Sequence, residues 1–61
     1  MAQITEKELS ALGDLLTFEQ TVIAKYHAEA EKTQDTALKN CYTGMAQRHQ
    51  RHFDELYTNL K

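Results

Sequence analysis

Apolar side chains recur at alternating steps of three and four along two stretches of this chain, and the polar segment Lys32-Thr33-Gln34-Asp35-Thr36 separates them. That rhythm brackets the roughly 3.6 residues of a helical turn, so each stretch presents one continuous stripe to a neighbour. The first seam runs Leu9, Leu12, Leu16, Glu19, Ile23, Tyr26 and Ala30, with Leu15 and Val22 beside it. The second runs Leu38, Tyr42, Met45, His49, His52, Leu56 and then Asn59 or Leu60, flanked by Cys41, Phe53 and Tyr57. There is no proline, and the only glycines are Gly13 and Gly44, so neither stretch contains a strong helix breaker apart from these. The expected fold class is all-α, an antiparallel helical hairpin.

The ends of the helices can be read from capping chemistry. Thr5 followed three residues later by Glu8 makes a capping box, and Ile4 with Leu9 has the spacing of a hydrophobic staple. Helix one is therefore expected over about residues 6–32 and helix two over about 36–60, with Asp35 or Thr33 as the N-cap of the second. The whole chain, 1–61, reads as a single domain.

A connection this short makes the helices adjacent and antiparallel, so facing positions have numbers that add to about 69. Ile23 then meets Met45 or Ala46, Tyr26 lies near Tyr42, Leu16 near Phe53, and Leu12 near Leu56 or Tyr57. Glu19 falls between His49 and His52. The only ionisable groups on the two seams thus meet in one layer, although some 30 residues separate them along the chain.

Two chemistries suit that layer. Histidines three apart share a helix face, and a carboxylate from the facing helix completes a set of nitrogen and oxygen donors suited to zinc, iron, manganese or nickel. Alternatively Glu19 accepts hydrogen bonds from the imidazoles and the layer is a structural network that fixes register. Some partner is required in both cases, because burying these groups unpaired costs several kcal/mol.

A 61-residue chain supports only a marginal core unless something staples it. One cysteine excludes an internal disulfide and fits a reducing compartment. Stripes wide enough for two neighbours leave self-association as the remedy, a homodimer closing into a four-helix bundle. The net charge of −2, with both signs interspersed, offers no basic stripe for nucleic acid. No apolar run approaches the roughly 20 residues of a membrane span, and Met1 to Glu8 lacks the apolar core of a signal peptide, so a soluble intracellular protein is expected.

The remaining singular residues carry less. His27 lies off the seam and is expected on a flank; Cys41, with no base or second cysteine beside it, is expected as a packed small side chain. Gly44, which would oppose Lys25, marks either a close backbone approach or an incidental small residue. Lys25, Glu29, Glu31, Arg48 and Arg51 read as an exposed charged face. Neither a nucleophile paired with a base nor a glycine-rich phosphate loop is present, so an enzyme is not expected.

The run Leu15-Leu16-Thr17-Phe18-Glu19-Gln20 through Tyr26, together with Gln47-Arg48-His49-Gln50-Arg51-His52-Phe53-Asp54-Glu55-Leu56, resembles the spore coat protein F family of ferritin-like hairpins. The resemblance extends from about Leu9 to Leu60. It implies a ferritin-like half bundle that dimerises, a place in the cytoplasm or spore coat of a bacterium, and other coat proteins as partners. The wider ferritin-like group carries a glutamate on its first helix followed seven residues later by a tyrosine, as Glu19 and Tyr26 do here. Its second helix carries Glu-x-x-His, where this chain has His49-x-x-His52. His52 matches; the metal-bridging glutamate is missing. The resemblance therefore implies a mononuclear or structural metal, or none, rather than di-iron oxidation chemistry.

The functional expectation is a non-enzymatic structural or assembly module of the coat-F-like type. The alternative is a ferritin-like metal-binding protein using Glu19, His49 and His52.

Overall fold

The computed structural model describes residues 4–59 and contains two helices, α1 (Glu6–Lys32) and α2 (Thr36–Thr58), packed along each other. Among the described residues there is no strand. The start of α1 is set by the capping box: Thr5 Oγ1 accepts from the Glu8 backbone N–H at 3.1 Å, and Glu8 Oε1 accepts from the Thr5 N–H at 3.1 Å. Glu6 and Glu8 in the first turn and Lys32 in the last complement the helix dipole.

The turn consumes little chain because its polar side chains replace missing backbone partners. The Thr33 N–H closes α1 on the Glu29 carbonyl at 3.1 Å, and Thr33 Oγ1 accepts from the Asp35 N–H at 3.2 Å. Asp35 is the N-cap of α2, accepting from the Leu38 N–H at 2.9 Å. Of the two expected caps, Asp35 takes the role and Thr33 shapes the turn. Lys39 adds a contact that ties the helices together, its Nζ donating to the Ala30 carbonyl at 2.7 Å and satisfying a C-terminal carbonyl of α1.

Helix two was expected to reach about residue 60; it ends at Thr58, and the Asn59 N–H turns back to the Leu56 and Tyr57 carbonyls. Leu60, one of the two expected final seam positions, lies outside the described residues. So do residues 1–3, including the Met1 end of the segment read for a leader.

The expected pairing of Tyr26 with Tyr42, and of Glu19 with both histidines, is present. Lys39 reaches Ala30, the Tyr26 and Tyr42 rings are 6.2 Å apart, and Glu19 touches both His49 and His52. On α2, however, the innermost line is Tyr42, Ala46, His49, Phe53 and Leu56 rather than the line through Met45 and His52. Ala46 is 1% exposed, whereas His52 is exposed on the flank. Both lines obey the three-four rhythm, and the one carrying Phe53 wins because it brings more apolar surface inward.

What the hairpin buries is small. Leu12, Ala30 and Ala46 are its buried apolar residues, joined by Glu19, and among the described residues no large side chain is fully enclosed. The molecule measures 47 × 16 × 10 Å with a radius of gyration of 14.4 Å, against about 10.5 Å for a compact chain of this length.

Candidate polar layer

Glu19 is the central residue of the 27 in α1, one of the inward positions of its stripe, and is 4% exposed. Its two carboxylate oxygens are taken separately. His49 Nδ1 lies 2.7 Å from Oε1, and His52 Nδ1 lies 3.1 Å from Oε2. The carboxylate is thus a fork holding two imidazoles presented from successive turns of α2. No buried side-chain nitrogen or oxygen among the described residues lacks a partner.

The electrostatics follow from this contact. The His49 hydrogen bond holds the Glu19 carboxyl below the ordinary carboxylate value, burial opposes it, and the His52 hydrogen bond and the charge of both rings lower it further. Glu19 is therefore an anion at neutral pH and can only accept. Each imidazole must carry its proton on Nδ1, which in the neutral ring leaves the lone pair on Nε2.

Tyr26 contributes in a way the spacing alone did not reveal. Its ring stacks on His49 with centroids 5.7 Å apart and planes 26° from parallel, as well as meeting Tyr42. The signal was available: Tyr26 lies one heptad beyond Glu19, on the same stripe. His49 is therefore held on two sides, by a carboxylate and by a ring face, while His52 is held by the carboxylate and has a side chain 53% exposed.

All three residues expected as metal ligands come together, but as partners of one another. Among the described residues no group of three or more histidine, cysteine, aspartate or glutamate side chains is arranged to hold an ion directly. His27 is exposed, in an open groove with Ile23 and Phe53, as expected of a flanking residue. Cys41 differs from expectation: it is exposed, because the outermost flank of α2 faces no part of α1. A Cβ at Gly44 would meet nothing within 4 Å, so this glycine marks no close approach. Lys25 and Lys32 both pair with Glu29, at 3.1 and 3.6 Å; Glu29 is half-buried rather than fully exposed, and with Lys25 it lines a groove beside Val22, Tyr26 and Tyr42.

No family model, curated protein or solved structure matches the chain. No described helix is long and apolar enough to cross a membrane.

Proposed function

We propose that the chain is a non-enzymatic structural module that pairs with a second copy into a four-helix bundle, of the type of spore coat protein F, with the Glu19, His49 and His52 layer fixing its register. The observation that carries this reading is an apolar flank with no partner. Helical geometry sets Leu15, Phe18 and Val22 along one side of α1, and Leu38 and Met45 along the same side of α2. Leu15, Phe18 and Leu38 are 48%, 59% and 46% exposed.

Area supports a second copy as the occupant. The chain exposes 4881 Å², while a compact monomer of this mass exposes about 4,000 Å². The excess is close to the roughly 800 Å² that each partner covers in an interface of ordinary size. A flank shared by both helices, on which Lys25 is already paired with Glu29 at 3.1 Å, suits a self-complementary two-fold contact. The coat-F resemblance adds the setting: a bacterial cytoplasm or spore coat, with other coat proteins as further partners. Sedimentation of the purified protein at micromolar concentration tests the core of this proposal. A dimer is expected, and a helical, cooperatively folded monomer overturns it.

The second reading is metal binding by the same layer, with zinc, iron, manganese or nickel as the ion. Its support is the convergence of one carboxylate and two imidazoles at mid-helix. Elemental analysis of untagged protein, beside His52→Ala, decides it: stoichiometric metal lost in the variant is the expected result under this reading, and its absence from the wild type under metal supplementation sinks it.

A further inference from the structure

We infer that His49 and His52 present their Nε2 atoms as half of a divalent-cation site, completed by the same pair from a second copy, with Glu19 as the positioning residue rather than a ligand. This rests on the dimer proposed above. The ion belongs to the borderline transition cations that imidazole favours, with zinc as the representative.

Three observations carry it. First, the Nδ1 atoms of both rings are engaged by Glu19, at 2.7 and 3.1 Å, so the atoms left to bind anything are the two Nε2 lone pairs on the ring edges away from the carboxylate. A carboxylate behind the Nδ1–H of a histidine is the usual support of a metal-binding imidazole: it fixes tautomer and ring orientation and raises the basicity of the ligating nitrogen. Here one buried carboxylate supports two such rings, and the Tyr26 ring stacks on one of them.

Second, the pair borders the unpartnered flank. His52 is exposed on the side of α2 that carries Leu38 and Met45, and His49, on the innermost line next to it, has a side chain still 25% exposed. The imidazoles thus stand where a second copy covering that flank would meet them. In a buried interface their Nε2 atoms would need partners.

Third, the layer sits at the middle of the hairpin. Glu19 has equal lengths of α1 on either side, and His49 is near the centre of α2. A two-fold partner bound with its turn at the same end or at the opposite end brings its own histidine layer to the same level. Two imidazoles per copy make four nitrogens, the number a tetrahedral zinc ion takes. A single copy supplies only two, in keeping with the lack of a complete ligand set among the described residues.

The test uses the untagged full chain, stripped of metal and titrated with zinc by calorimetry, with mass read by sedimentation in parallel. One zinc per two chains is expected, and cobalt in its place should give the visible absorption of a tetrahedral site. His52→Ala changes a half-exposed side chain, so the variant should stay folded and dimeric while losing stoichiometric binding. Glu19→Gln should keep the stoichiometry and weaken affinity about 10- to 100-fold, the loss typical of an outer-shell partner. A dimer that takes up no zinc, or that binds it unchanged in His52→Ala, overturns the site and leaves the bundle standing. Complete loss of the ion in a folded Glu19→Gln makes the glutamate a ligand and overturns its positioning role. A monomer overturns both the shared site and the bundle.

Discussion

The inward seam of the hairpin and the flank beside it are built from similar residues, yet they end in opposite conditions. Along the seam Leu12, Ala30 and Ala46 are covered, and Glu19, the one buried charge among the described residues, has a partner for each oxygen. On the flank Leu15, Phe18 and Leu38 remain about half exposed. Two helices can enclose one line of side chains but not the broad stripe that each of them carries. The hairpin solves its polar problem internally and leaves its apolar problem for another surface to solve.

The largest effect should come from placing a charge on that flank. Phe18→Asp removes an aromatic side chain whose burial contributes about 1.5–3 kcal/mol and puts a carboxylate where closure would strip its water. Dimer formation should be lost at micromolar concentration, and because the separate hairpin has so small a core, helicity by circular dichroism should fall with it. Gln47→Asp, on an exposed position of α2, is the control and should change stability by no more than about 0.5 kcal/mol. Equal behaviour of the two variants would erase the distinction between the flank and the rest of the exposed surface.

On the seam side, Glu19→Ala leaves two imidazoles without their acceptor and a gap at mid-helix, and should cost about 1–3 kcal/mol in chemical denaturation. The pH dependence has a definite sign. Glu19 is held below its ordinary value of 4.5 in the folded state, so its stabilisation is present above that value and is lost as pH falls through the lower folded one. With chelator present, the wild-type melting temperature should hold its Glu19 contribution down to about pH 4.5 and lose it below. Glu8 and Glu29 are shifted in the same direction and steepen the acid limb of every variant alike. Only the difference between wild type and Glu19→Gln isolates the layer; a difference that stays constant with pH would mean that the carboxylate is not held by the imidazoles.

The sequence showed both helices because their signals are local: Thr5 with Glu8, Asp35 before Leu38, and a three-four rhythm unbroken by proline. Layer pairing was legible because a short turn leaves one way to fold back, and this brought Glu19 to the two histidines. The exact line of burial on α2 was not. Met45, His52 and Ala46, Phe53 belong to adjacent lines with the same period, and only packing against α1 chooses between them. Nor could spacing say that both Nδ1 atoms turn toward one carboxylate, since this depends on ring rotamers. Lys39 bonding to the Ala30 carbonyl was likewise hidden, because it joins a side chain to a backbone group across the turn.

The smallest effect tests the outer surface, where neither seam nor flank should be felt. Gly44 lies inside α2 with ordinary negative φ, and a methyl group there would touch nothing within 4 Å. Glycine in a helix interior costs about 0.5–1 kcal/mol relative to alanine through the backbone freedom it surrenders on folding. Gly44→Ala should therefore raise stability by about that amount, read as a higher denaturation midpoint, with unchanged dimer mass and unchanged zinc stoichiometry. A loss of stability or of dimer would mean that this side of α2 is covered by a partner, and the apolar flank would no longer be the sole surface through which copies meet.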